Sequence, residues 1–172
     1  LKENQTLIIG ATRLEDNKFY NSLFNITSTK VTYFDKKILV PFGEFLPLRD
    51  SLSFFDKIVG PNNFSKGSIK RIINLPNNIS FIPVICYEIV FYWKLINKHN
   101  YNSNFIVNIT NDFWFGDLLG PYQHFYLTKI RAAEFNKPII RVSNNGISAV
   151  INRNGKVINN TLLNNTSKFK HE

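Results

Sequence analysis

One stretch limits what this chain can fold into more than any other: residues 79–91, ISFIPVICYEIVF. Its first part, from Ile79 to Ile85, is a short apolar run rich in β-branched and aromatic side chains, entered from Pro76-Asn77-Asn78. Turn chemistry followed by such a run predicts a buried strand, which belongs inside a layered domain. Cys86, the only cysteine of 172 residues, stands at the exit of that strand, followed by Tyr87 and Glu88. Two readings of it stand side by side. A side chain at a strand exit can face a cleft, where a neighbouring cation or aligned amide dipoles favour a reactive thiolate. The commoner fate of a lone cysteine in an apolar run is that of a small core residue.

At 172 residues and 44% hydrophobic, the chain has room for one domain with a real core and too little for two. One cysteine makes no intrachain disulfide, so the count says nothing about redox compartment. No apolar stretch reaches the roughly 18 to 20 residues of a membrane span, and the first residues lack the pattern of a signal peptide. The net charge of +9 attracts phosphate of either kind. However, the lysines are scattered, with clusters only at residues 66–71 and at Lys168-Phe169-Lys170, and no nucleic-acid partner is expected. Asn25-Ile26-Thr27 and Asn108-Ile109-Thr110 match a glycosylation acceptor pattern that abundant asparagine produces by chance. The chain begins at Leu1 and contains no methionine, which reads as a piece of a longer protein or an incomplete frame.

In chain order, residues 6–13 and 19–27 predict an antiparallel pair across Glu15-Asp16-Asn17-Lys18, with Tyr20, Phe24 and Ile26 on one face. Residues 30–34 make a third strand. Residues 38–47, with two prolines and a glycine, predict an ordered loop carrying a carboxylate. A short helix is expected over 48–59 and an exposed linker over 60–70. After the Cys86 strand, a helix over 92–99 leads to a buried strand over 104–110, and strand, helix, strand implies a parallel crossover. An aromatic loop over 111–117 precedes a helix that Pro121 opens and Pro138 ends. Strands over 139–143 and 147–152 follow, then a two-residue Asn154-Gly155 hairpin and residues 156–158. The domain is expected to span 1–158, with a mobile tail over 159–172. The economical architecture is an α/β sandwich.

Lys36, Glu44 and Cys86 each sit at a strand edge or in a constrained loop. An ammonium beside a cysteine favours the thiolate and stabilises the oxyanion formed when sulfur attacks an acyl carbon. The N–H of Tyr87, just after the cysteine, is a second candidate oxyanion donor. A carboxylate such as Glu44 orients the lysine or handles protons. Taken singly, Lys36 and Glu44 read as solvated surface charges.

The blocks at residues 36–47 (KKILVPFGEFLP), 85–91 (ICYEIVF), 111–116 (NDFWFG), 120–125 (GPYQHF) and 141–146 (RVSNNG) closely resemble successive motifs of bacterial apolipoprotein N-acyltransferases. These belong to the nitrilase, or carbon–nitrogen hydrolase, superfamily. The resemblance runs from Leu7 to Ile158 and implies an αββα sandwich, incomplete here, with a Glu-Lys-Cys triad. It implies that Cys86 is the nucleophile taking an acyl chain from a phospholipid as a thioester, that Lys36 is the triad lysine and that Glu44 is a second essential carboxylate. Tyr87, Glu88 and Asn111 become supporting or oxyanion positions. Trp114 and Phe115 become substrate contacts, although both also suit a core, and Phe113 replaces a common alanine. His124 falls in the GPYQHF block, where a structural histidine is expected. The implied acceptor is the N-terminal amine of a diacylglyceryl lipoprotein, at the periplasmic face of the inner membrane, with no cofactor or metal.

The family's general-base glutamate lies in an upstream motif resembling Pro-Glu-Thr, which these residues lack; Glu3 is not in such a motif. Little turnover is therefore expected of the chain alone. A soluble nitrilase-type amidase or carbamoylase is the rival enzyme, and a non-catalytic basic domain binding lipid or a subunit is the rival of another class.

Overall fold

Asp16 and Asn17 take positive φ (49° and 58°), as the centre of a tight hairpin turn requires. Around them, Leu7–Glu15 (β1) and Lys18–Ile26 (β2) pair antiparallel from Glu15↔Lys18 to Leu7↔Ile26, and Val31–Asp35 (β3) adds to β2 from Ser22↔Asp35 to Ile26↔Val31. The computed structural model describes residues 1–2, 5–46 and 63–163. They fall in two units, Leu1–Lys70 and Arg71–Glu172. In the first unit, the directly paired Leu23 and Phe34 are fully buried. On the face that carries Tyr20, the Arg13 guanidinium lies over the rings of Tyr20 and Tyr33 and forks onto Asp35 at 3.1 and 2.7 Å. The helix expected over 48–59 lies outside the described residues.

The second unit is built on a six-stranded sheet, β4 to β9 in sequence order: Ile73–Asn74, Ser80–Ile85, Phe105–Asn111, Ile139–Asn144, Ala149–Ile151 and Val157–Asn160. Asn77 and Asn78, both at positive φ, turn β4 into β5. The strand predicted from the apolar run is β5, and it pairs parallel with β6, which pairs parallel with β7. Pro83 sits inside β5, where a missing N–H would ordinarily break a ladder. The Pro83 carbonyl accepts from Arg71 Nη1 (2.9 Å). A strand residue's N–H and C=O point to the same side, so its nitrogen faces Arg71 and not β6. The crossover from β6 to β7 contains the helix α1, Gly120–Glu134, with Pro121 in its first turn. Its Ala132 joins Ile82, Val84, Ile89, Leu95, Ile106, Ile139, Ala149 and Ile151 in the core of this unit.

Two expectations are corrected. Residues 92–99 form no α-helix. Tyr92–Lys94 is a single 3-10 turn, because asparagine side chains compete for the backbone beyond it. Asn100 Oδ1 takes the Asn97 N–H (2.8 Å), Asn97 Oδ1 takes the His99 N–H (2.9 Å), and Asn100 Nδ2 reaches the Leu95 carbonyl (2.8 Å). The β5-to-β6 crossover is parallel without that helix. The hairpin at Asn154-Gly155 has a three-residue loop rather than two. Asn152 N–H bonds to the Lys156 carbonyl and Gly155 N–H to the Asn152 carbonyl, with Gly155 at φ 78° completing the bulged turn. The last strand runs to Asn160, and Thr161 beyond it is buried and donates its N–H to the Ser148 carbonyl.

Candidate active site

In the first unit, β3 delivers Lys36 at its exit. Its backbone is pinned on both sides, the N–H on the Asn21 carbonyl (2.8 Å) and the carbonyl under the Gly67 N–H (2.9 Å). Gly67 passes so close that a Cβ there would stand 2.2 Å from the Asp35 carbonyl oxygen. The loop that follows closes on itself through Phe42 N–H to the Phe45 carbonyl and Glu44 N–H to the Val40 carbonyl, with Phe42 at φ 61°. This turn presents Glu44 inward. Glu44 Oε2 accepts from Lys36 Nζ (2.6 Å) and the Val40 N–H (2.8 Å), and Oε1 from Asn21 Nδ2 (2.9 Å). Lys36 is 1% exposed and Glu44 half-buried, so the two are a largely enclosed ion pair and not solvated surface charges. A carboxylate holding three donors is a fixed acceptor; it can anchor the ammonium, and it is poorly placed to shuttle protons.

In the second unit, β5 ends at Ile85 and Cys86 steps into the left-handed region at φ 52°, opening a 3-10 turn, Cys86–Val90. Glu88 fastens this turn. Its Oε2 takes the Ile85 N–H (3.0 Å) and Arg71 Nη1 (2.8 Å), and its Oε1 takes Arg71 Nη2 (2.7 Å), all three residues being buried. Glu88 is therefore a structural anchor in this unit. The Cys86 thiol is free and half-buried, unlike Val84 and Ile85 before it, which are in the core. The Tyr87 ring meets those of Phe91, Phe115 and His124 at 5.8, 6.3 and 6.1 Å between centroids.

At the exit of β6, Asn111 Oδ1 accepts the Phe113 N–H (3.2 Å) and caps the 3-10 turn Asp112–Phe115. Trp114 is 71% exposed, which rules out a core role among the described residues, whereas Phe115 is half-buried against Tyr87 and His124. Asp112 is fully buried. It accepts from Arg141 Nη2 (2.5 Å), Ser143 Oγ (2.9 Å), Thr110 Oγ1 (3.1 Å) and His124 Nδ1 (2.8 Å). Burial alone would raise its pKa, but the His124 hydrogen bond and the Arg141 charge, with Ser143, outweigh it and hold the carboxyl down at about 2. Burial pushes His124 below its ordinary value against the opposing pull of Asp112. The neutral ring thus donates from Nδ1, which leaves Nε2 buried with no hydrogen-bond partner among the described residues.

Residues 1–166 match the carbon–nitrogen hydrolase family. The chain belongs to that family. It is 42% identical over 175 residues to the apolipoprotein N-acyltransferase of Allorhizobium ampelinum, covering 95% of this chain and 33% of that protein. Against the enzymes of the same name from Rhizobium leguminosarum and Brucella suis it is 40% and 37% identical, covering 92% and 95% of this chain and 32% of each relative. The chain thus spans about a third of the length of the curated relatives it matches. Among solved structures, it is similar to glutamine-dependent NAD+ synthetase from Acinetobacter baumannii (TM-score 0.72, 18% identity, 96% of this chain and 30% of that one). It is also similar to a CN-hydrolase superfamily protein from Xanthomonas campestris (TM-score 0.65, 16% identity, 91% and 58%). At these identities the likeness concerns the fold. Two sheets and one described helix are the parts of an incomplete αββα sandwich of this carbon–nitrogen hydrolase type.

In the first unit the family member joins Lys36 to Glu44 from the same block, and in the second Cys86, Tyr87 and Glu88 stand in one 3-10 turn. Asn21, Arg71, Asp112 and Arg141 were not singled out as site residues in the sequence. Asp112 and Arg141 stand inside recognised blocks, NDFWFG and RVSNNG, so a buried role for them had a visible signal. Asn21 had none beyond its place in a strand.

Proposed function

We propose that this chain is part of the catalytic domain of an apolipoprotein N-acyltransferase. The observation that carries the reading is the 37–42% identity to enzymes of that name across nearly the whole chain. Cys86 Sγ attacks the ester carbonyl of a phospholipid acyl chain. The S–C bond forms, the ester C–O bond breaks, and the thiol proton passes through a carboxylate base to the departing lysophospholipid oxygen. The resemblance assigns that base to the family's upstream glutamate. Lys36, held by Glu44, supplies positive charge to the oxyanion; its role alongside Cys86 is taken from the family, since the two residues belong to different units. The α-amine of a diacylglyceryl-cysteine then attacks the thioester, the C–N bond forms, the C–S bond breaks and Cys86 is regenerated, which gives ping-pong kinetics. Trp114, by its exposure, and Phe115 contact the acyl chain. The reaction belongs at the periplasmic face of the inner membrane. No helix of the described residues is long and apolar enough to cross a membrane.

The test uses vesicles of phospholipid with radiolabelled acyl chains, with the family's glutamate-bearing upstream segment supplied in trans. The expected result is hydroxylamine-labile label on Cys86, lost in Cys86→Ala and chased onto a diacylglyceryl-cysteine peptide. Amide hydrolysis without acyl transfer would overturn the reading in favour of an amidase. Salt-sensitive vesicle binding unchanged by Cys86→Ala, with no label, would overturn it in favour of a lipid-binding domain.

A further inference from the structure

The second unit buries a polar chain that the acyl-transfer reading leaves without a role. Arg141 is its hub. Nη2 donates to Asp112 Oδ2 (2.5 Å), Nη1 to Asn108 Oδ1 (2.8 Å) and Thr128 Oγ1 (3.1 Å), and Nε to the Ile147 carbonyl (3.1 Å). A guanidinium only donates, so it fixes which end of the Asn108 amide faces it. The amide nitrogen must point the other way, and there it reaches the Val84 carbonyl (3.2 Å) and, at longer range, the Cys86 carbonyl (3.5 Å). Asn108 and Asp112 are 0% exposed and Arg141 is 1% exposed.

Burying an ion pair this deeply is a poor device for stability, because the desolvation cost of two charges rivals their attraction. What the arrangement does supply is direction. Each donor of Arg141 is committed to a different element: the turn after β6, the β6 strand itself, α1, and the loop before β8. The one amide it orients closes on the two carbonyls that flank Ile85, where an extended strand gives way to a left-handed residue. Cys86 at φ 52° occupies a conformation that side chains other than glycine seldom adopt unless their surroundings impose it. Glu88 restrains the same turn from the Ile85 N–H. Asn108 restrains it from the carbonyl side.

We propose that Arg141, acting through Asn108, is a positioning residue for Cys86, holding the strand-to-turn geometry in which the sulfur is presented. The proposal rests on the reading of Cys86 as the nucleophile, yet its test needs no substrate. Because the chain has one cysteine, growth on 13C,15N-cysteine gives a single labelled residue, whose Cα and carbonyl shifts report its backbone angles and the hydrogen bond to its oxygen. In Asn108→Leu and Arg141→Lys chains that remain folded by circular dichroism, the Cys86 signals are expected to move toward the extended-backbone range or to split. Unchanged Cys86 shifts in both folded variants would overturn the proposal and leave the cluster a purely structural one. Should neither fold, Thr128→Val, which removes one acceptor of Arg141 together with the Thr128 Oγ1 bond to the His124 carbonyl and leaves Asn108 in place, decides by the same signals. Failure of acyl labelling in vesicles would defeat the functional reading and leave this result standing, since the spectrum is read without lipid.

Discussion

Cys86 combines a reactive atom with a backbone that most residues avoid, and the combination is measurable. A side chain in the left-handed region costs about 1–2 kcal/mol, which glycine escapes. With the thiol gone in both, Cys86→Gly is therefore expected to be more stable than Cys86→Ala by about 1 kcal/mol in urea unfolding, the reverse of the usual order. Equal or inverted stabilities would mean that the turn relaxes once the sulfur is removed. That Cys86 stands at a strand exit was legible because it ends an apolar run. The other half of the candidate chemistry was legible only as types of residue. Glu44 is anchored by Asn21, 23 positions away, and Arg141 bonds Asn108 and Asp112 at separations of 33 and 29. No local pattern announces partners at that range. Lys36 and Glu44 look like ordinary surface charges until β3 and the following loop bring them together with the lysine buried.

At the scale of elements, β-strands were readable wherever an apolar run met turn residues: β1 to β3, β5 to β7 and the last hairpin. The helix expected over 92–99 failed because its asparagines satisfy backbone groups that a helix would use, a competition that side-chain hydrophobicity does not register. The turn between β7 and β8 offers a sharp test of how tightly elements lock around Asp112. A Cβ at Gly146 would stand 2.1 Å from Asp112 Oδ2 and 2.2 Å from Ser143 Oγ. Gly146→Ala is expected to lower stability by at least about 1–3 kcal/mol through overpacking, and to move the Cys86 signals if Asp112 is displaced from Arg141. Gly43→Ala, whose Cβ would meet nothing nearer than 3.6 Å, should be close to neutral in the same urea titration.

Across the whole molecule, the buried Asp112–His124 pair sets how stability responds to acid. His124 is held below its ordinary value of 6.5 in the fold. Below that pH the unfolded chain binds a proton that the folded ring resists, and stability falls as pH drops from 6.5 toward the folded value. Asp112 is held at about 2 against 3.8 unfolded. Its contribution, about 2 kcal/mol, is complete above 3.8 and is lost between there and 2. Urea midpoints measured against pH should therefore decline in two stages, with the lower stage missing in Asp112→Asn; a midpoint flat from 7 to 4 would contradict the His124 assignment. The sequence by itself determined the α/β class, the order of most strands, the parallel crossover, and the motif blocks that resemble apolipoprotein N-acyltransferases. These depend on short-range periodicity and on residue identity, which a linear string preserves. Only the tertiary structure decided that Glu88 is committed to Arg71, that Lys36 is buried on Glu44, and that Arg141 reaches the Cys86 turn through Asn108. Those contacts form when strands distant in sequence close into sheets, where burial makes each unpaired charge too costly to leave without its partner.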